Sequence, residues 1–173
     1  MESVKKFIRD IPDFPKKGIV FKDITPLLAD ASAFTKTINT LKERFSENKV
    51  DRVVGVEARG FIFASALAYA LETGTTMVRK PGKLPYSTFQ ETYSLEYGTD
   101  TIEIHQDAFQ SGERIVLIDD VLATGGTLAA TLNLIRKNFQ SVKILEVVCL
   151  IELDFLRGRE KIKDVPIHSL VHF

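Results

Sequence analysis

The sequence predicts an α/β fold with a mainly parallel central sheet flanked by helices, and three observations carry that reading. Aliphatic runs at 52–56, 115–118 and 141–153 suit strands buried on both faces of a parallel sheet. Segments of helical period follow the first two, and such alternation builds units joined by right-handed crossovers. Alternating residues on either side of Gly98 to Asp100, in TYSLEYG and DTIEIH, add one antiparallel hairpin.

A chain of 173 residues has the size of one domain and is long enough to bury a substantial core. Its 23 basic and 23 acidic side chains cancel, which argues against a polyanion-binding surface and so against a nucleic-acid partner. A hydrophobic content of 45% argues against disorder. The opening residues MESVKKFIRD hold no apolar signal core, and no run approaches the ~18 apolar residues of a membrane helix, so a cytoplasmic protein without membrane contact is expected. Cys149 stands alone within KILEVVCLIEL, which excludes an intrachain disulfide and marks a small core residue.

In chain order, Ser3 caps a short helix on which Val4, Phe7 and Ile8 share a face, ending before Pro12. The stretch 11–26, IPDFPKKGIVFKDITP, carries Pro12, Pro15 and Pro26 and is expected to be poor in regular structure. Its apolar Ile19, Val20, Phe21 and Ile24 suit a lid, a pocket wall or a packed arm. Asp30 opens a helix with Phe34, Ile38, Leu41 and Phe45 on one face. After the strand at 52–56, a polar turn from Glu57 to Gly60 leads into a helix bearing Ala64, Leu67, Ala68 and Leu71. A third strand, at 75–79, feeds RKPGKLPYSTFQET, a loop in which Arg79, Lys80 and Lys83 concentrate positive charge. Such charge suits either a lid over a polyphosphate or a solvated cluster. A short last strand is expected at 167–171.

The chain is organised around RIVLIDDVLATGGT, residues 114–127. Its aliphatic strand is expected to end at Asp119 and Asp120, and a glycine-bearing loop then leads to a helix with Leu128, Thr131, Leu132, Ile135 and Phe139 at helical spacing. At such a helix start, backbone N–H groups lack intrahelical partners and the dipole favours an anion. Gly125 and Gly126 allow close approach of the backbone to a phosphate, and Thr124 and Thr127 add hydroxyl donors. No lysine follows the glycines, so the nucleoside-triphosphate loop GxxxxGK[ST] does not match, and GxGxxG is absent. The two acids would repel a phosphate but accept hydrogen bonds from a sugar diol one ribose width away. Arg59 and Gly60 would join this site if their strand is the neighbour of 115–118.

At this point IVLIDDVLATGGT resembles the phosphoribosyl pyrophosphate (PRPP) signature of type I phosphoribosyltransferases. GIVFKDITPLL, VEARGF, RKPGKLP, YSLEYG and ELDFLRGREKI are similar, in order, to motifs of the adenine phosphoribosyltransferase branch, so the resemblance covers nearly the whole chain. It implies a type I phosphoribosyltransferase fold, a single domain over 1–173, with a small N-terminal hood in 1–30 and a lid loop and hairpin in 80–104. The implied reaction is purine salvage: transfer of the 5-phosphoribosyl group from PRPP to adenine, giving AMP and pyrophosphate with Mg²⁺ as cofactor. Related enzymes that use another purine, such as xanthine, and PRPP-binding regulators share the signature.

The resemblance also implies roles. Ala123, Thr124, Gly125, Gly126 and Thr127 would hold the 5-phosphate, and Asp119 with Asp120 the ribose hydroxyls. Arg59, Gly60, Arg79 and Lys83 would face pyrophosphate, with Arg59 and Lys83 assisting catalysis. Val20, Phe21, Lys22 and Leu153 would line the adenine pocket. Glu96 is the candidate base for the adenine proton, against the alternative of a strand-end carboxylate in solvent. The Mg²⁺ ion would be held by substrate oxygens and water, without dedicated protein ligands. A cis peptide between Ala58 and Arg59 is implied, as is a homodimer, for which the apolar residues around Phe61 and Phe63 offer a surface. Position 58 is Ala where the family often has serine, and position 22 is Lys where arginine is common.

Overall fold

In the computed structural model, residues 2–94 and 98–173 are described, residues 2 and 3 by their backbone alone. The aliphatic runs form one parallel sheet. Its order is β4 (Gly74–Val78), β3 (Arg52–Val56), β7 (Arg114–Leu122), β8 (Lys143–Glu152) and β9 (Ile167–His172). Val53, Val54, Ile115 to Ile118 and Val147 to Cys149 are all at most 1% exposed, the two-sided burial that their unbroken apolar runs call for.

The pleat divides these side chains between two layers. Val53, Val116, Ile118 and Val148 meet α3 (Ala31–Arg44) and α4 (Gly60–Ala70) through Ile38, Leu41, Phe63 and Leu67. Val54, Ile115, Leu117, Val147 and Cys149 meet α5 (Gly126–Asn138) through Leu128, Leu132 and Ile135. Cys149 is therefore a core residue, as its surroundings in the sequence suggest. Asp30 caps α3 as expected: its carboxylate accepts from the Ala33 N–H at 2.8 Å, a contact worth about 1 kcal/mol.

Three regions differ from the sequence reading. The stretch 11–26 is not irregular: β1 (Arg9–Pro12) and β2 (Val20–Asp23) pair antiparallel, and a short helix α2 (Thr25–Ala29) follows. The prolines are compatible with this because Pro12 ends its strand and Pro26 sits in the first turn of α2. Ion pairs Arg9–Asp23 at 2.6 Å and Lys22–Asp10 at 2.7 Å lock the ribbon across its strands. Second, β7 does not stop at the acids. It continues to Leu122 because β8 keeps pairing with it, Asp119 opposite Cys149 and Leu122 opposite Glu152. The short N-terminal helix, α1 (Glu2–Lys5), begins one residue before the expected Ser3 cap and buries Val4.

The hairpin is present as β5 (Thr88–Ser94) and β6 (Thr99–His105), registered from Thr88 opposite His105 to Ser94 opposite Thr99. Ile102 and Ile104 seat it on the α5 side of the core, and a bridge between Arg79 and Glu103 ties it to the end of β4. Beyond β8, two 3-10 turns, Asp154–Leu156 and Gly158–Lys161, occupy a segment to which the sequence reading assigned no structure.

Candidate active site

The parallel pairing of β3 with β7 brings the turn after one strand beside the acids at the end of the other. Contact is close: a Cβ added to Gly60 would lie 3.0 Å from both Asp119 Oδ1 and the Ile118 carbonyl, so glycine is what lets α4 start against β7. At these strand ends lies a cavity of about 170 Å³ whose lining includes Glu57, Ala58, Arg59, Arg79, Lys80, Asp119, Asp120 and Thr127. Residues expected to serve ribose, phosphate and pyrophosphate thus share one space, at the edge where parallel sheets bind ligands.

Charge inside the cavity is unevenly balanced. Arg59 Nη2 stands 2.5 Å from Asp120 Oδ2, yet that oxygen has no donor aligned for a hydrogen bond. Burial first, and the charge of Asp120 second, push the Asp119 carboxyl well above the ordinary aspartate range. Burial also raises Asp120, with Arg59 pulling the other way. Two carboxylates with one arginine resist carrying both charges until something replaces the lost water.

The loop Ala123 to Thr127 turns from β7 into α5 through Gly125, whose φ of +76° is the left-handed conformation that glycine adopts without strain. No side chain caps α5, and the first helical-type bond of this turn runs from Ala129 N–H to Gly125 O, so the N–H groups of the intervening turn are available to an anion. The Thr127 hydroxyl lies 2.9 Å from Tyr93 Oη, which also donates to Asp100 at 3.1 Å. The hairpin therefore touches the turn from β7 into α5 directly. Tyr93 and Asp100 are site neighbours that sequence reasoning missed, and Lys80, read there only as part of the basic loop, pairs with Asp100. They are close only through the fold, and the one signal was that Tyr93 lies in the alternating run TYSLEYG.

The cations of the basic loop after β4 are engaged. Lys83 pairs with Glu57, Arg79 Nε lies 3.3 Å from Glu57, and the Lys80 N–H donates to it at 2.9 Å. Burial raises the Glu57 carboxyl, but Lys83, the Lys80 amide and Arg79 outweigh it and hold it below the usual glutamate range. Glu57 is a further residue whose place in the site was missed, since the sequence reading left it as part of a polar turn.

The expected base-binding residues lie on two separate elements. Phe21, on β2, packs under the Arg59 guanidinium at 4.7 Å from its ring centre, and Arg59 Nη1 donates to the Lys22 carbonyl at 3.4 Å. The Lys22 ammonium instead reaches Asp10 and the Phe173 ring, so the part of Lys22 facing Arg59 is its backbone. Val20 is 47% exposed. Leu153, following β8, is fixed by its N–H to the Leu122 carbonyl at 3.0 Å.

The non-proline cis peptide joins Glu57 to Ala58, one bond earlier than expected; Arg59 already has helical φ and ψ of −70° and −27°, so the chain is committed to α4 by then. Phe63 does not offer a surface: it is 1% exposed and packs on Phe34, whereas Ile62 and Met77 are 41% and 45% exposed. Glu96 lies outside the described residues.

A divalent cation fits the acid pair in one respect, since Asp119 and Asp120 bring two carboxylates to a cavity with Arg59 as counter-charge. Among the described residues, the group with metal-ligand spacing is elsewhere, at Glu152, Asp154 and His172. Glu152 there already accepts from Arg159 and Ser169.

Comparison with known proteins adds four findings. A family model described as phosphoribosyl transferase domain matches residues 26–169. The chain is 57% identical to the adenine phosphoribosyltransferase of Syntrophotalea carbinolica, with all of both chains covered. It is also similar to the crystal structure of adenine phosphoribosyltransferase from Thermoanaerobacter pseudethanolicus, with TM-score 0.94, 49% identity and 99% of each chain covered. The Saccharomyces cerevisiae adenine phosphoribosyltransferase complexed with an imino-altritol bisphosphate and adenine matches with TM-score 0.90 and 40% identity, over 98% of this chain and 97% of that one.

Proposed function

We infer the chemistry of the site from one premise: the chain belongs to the adenine phosphoribosyltransferase family of the type I phosphoribosyltransferases. It is a purine salvage enzyme that transfers the 5-phosphoribosyl group from PRPP to adenine, giving AMP and pyrophosphate. The observation that supports this most is the single cavity at the ends of β3 and β7, where the acid pair, Arg59 and the start of α5 converge.

The whole of 1–173 serves as one domain, with 1–30 as hood and 80–104 as lid loop and hairpin. Ala123 to Thr127 bind the 5-phosphate through backbone N–H groups and threonine hydroxyls. Asp119 and Asp120 accept from the ribose hydroxyls. During transfer the bond from C1 to the pyrophosphate oxygen breaks, its electron pair leaving with pyrophosphate, while N9 of adenine bonds to C1 and loses its proton. Arg59, with the Gly60 N–H, and Arg79 and Lys83 from the lid stabilise the charge that grows on the leaving group. Val20, Phe21, Lys22 and Leu153 position the base, with the Lys22 backbone toward Arg59. Glu96, placed by its motif, takes the adenine proton.

Mg²⁺ would supply neutralising charge for the leaving group and would be held by substrate oxygens and water, beside Asp119 and Asp120 but without dedicated protein ligands. A homodimer would cover exposed apolar side chains such as Ile62 and Met77. The enzyme acts in the cytoplasm without nucleic-acid or membrane partners; among the described residues, no helix is long and apolar enough to cross a membrane. A PRPP-dependent assay with adenine, hypoxanthine, guanine and xanthine in parallel tests the reading. AMP formation from adenine is expected, and turnover of another base in its place would overturn the assignment.

A further inference from the structure

We propose that Gly158 is a positioning residue for the 5-phosphate loop: the bare backbone of the second 3-10 turn is the wall against which Ala123 to Gly125 take their binding shape. This rests on the reading of that loop as the phosphate site. The two chain segments interlock in both directions. A Cβ on Gly158 would sit 2.1 Å from the Ala123 carbonyl oxygen and 2.9 Å from Gly125 N. A Cβ on Gly125 would sit 2.3 Å from the Gly158 carbonyl oxygen. All of these obstacles are backbone atoms, which cannot rotate aside as the end of a side chain can.

The wall is itself anchored to the sheet. Arg159 clamps Glu152 with two bonds, 3.0 Å and 2.7 Å, and Ser169 on β9 donates to the same carboxylate at 2.6 Å. Glu152 is 4% exposed and ends β8 opposite Leu122, the last residue of β7. From Leu122 the chain runs directly into Ala123. The ends of β7, β8 and β9, the clamp, Gly158 and the phosphate loop therefore form a closed circuit, and displacing Gly158 moves the N–H groups that meet the phosphate. Pyrophosphate, at Arg59 and the lid, lies outside this circuit.

The test is titration of ribose 5-phosphate and, separately, of pyrophosphate into wild type, Gly158→Ala and Arg159→Lys, with KM for PRPP and kcat measured on each. A loop shifted by a large fraction of an ångström is expected to weaken ribose 5-phosphate binding and raise KM for PRPP by about 10- to 100-fold in Gly158→Ala. Pyrophosphate affinity is expected to stay within about twofold. Arg159→Lys keeps the charge, loses the fork and is expected to change in the same direction by a smaller factor; it carries the test alone where Gly158→Ala does not fold. Unchanged ribose 5-phosphate affinity, or equal weakening of both ligands, overturns the proposal. Failure of the wild type to bind ribose 5-phosphate would instead overturn the phosphate-loop reading.

Discussion

Replacing Gly60 with alanine sets two local effects against each other, and the structure decides which prevails. Gly60 begins α4 in the helical region, so alanine there gains helix propensity of at most about 1 kcal/mol. Its methyl group would stand 3.0 Å from Asp119 Oδ1, 3.0 Å from the Ile118 carbonyl and 3.3 Å from Asp119 Cα, tighter than ordinary contact on every side. Relief requires α4 and the end of β7 to part by a few tenths of an ångström, an overpacking cost of about 1–3 kcal/mol. A net loss of stability of up to about 2 kcal/mol is expected. Separation of Arg59 from Asp120 would cost more in rate, since a misplacement approaching 1 Å costs about 10²-fold. Initial rates against PRPP, with thermal unfolding on the same samples, measure both. A variant that is more stable and keeps its kcat/KM would show that the approach of α4 to β7 is not needed.

The acid pair yields a prediction with a definite pH sign. Because burial raises Asp119 and Asp120, the folded state holds protons more tightly than the unfolded chain, so their contribution to stability falls as pH rises from the ordinary aspartate range through the raised values. Asp119→Asn is therefore expected to gain thermal stability over wild type at pH 7, to lose the gain near pH 3, and to bind PRPP more weakly; equal melting profiles across pH would contradict it. Glu57→Gln releases Lys83 and Arg79 from their present partner, so pyrophosphate is expected to bind several-fold tighter, and titration showing weaker binding would refute the lid reading. Glu96→Gln is expected to lower turnover by about 10²–10⁴ with PRPP affinity little changed, and unchanged turnover where chemistry limits the rate would remove Glu96 as the base. Light scattering is expected to give a dimer mass, and a monomer across the micromolar range would refute it.

Most of the sheet is legible in the sequence because its signal is local. The residues of 115–118 carry no polar side chain, and their two-sided burial is what such a run requires. What escapes is the end of β7. The side chains of Asp119 and Asp120 look like a terminus, but strand length is set by backbone pairing, and β8 supplies that pairing as far as Leu122. The ribbon β1–β2 is missed for a related reason. Its prolines speak against strands, while the ion pairs that support it join Arg9 to Asp23 and Asp10 to Lys22, separations at which no periodicity appears.

The site is legible to a different depth. Glycines, threonines and acids within 119–127 announce their chemistry, and the parallel neighbours β3 and β7 bring Arg59 to them as the crevice rule requires. The counter-charges do not announce themselves. Glu57 reads as turn polarity until Lys83 and Arg79 fold back onto it, and Asp100 reads as a hairpin residue until Lys80 and Tyr93 reach it. Glu57 opposes two cations expected to meet pyrophosphate and Asp100 opposes Lys80 of the same loop, so the charges of that loop are neutralised internally while the floor of the cavity retains the costly acid pair. On the proposed reading, substrate binding would exchange one set of partners for another: pyrophosphate oxygens would replace Glu57 at Arg79 and Lys83, and ribose hydroxyls would meet the acids below. Such an exchange would make pyrophosphate affinity a difference between two ionic contacts, which is why removing the Glu57 charge is expected to strengthen it.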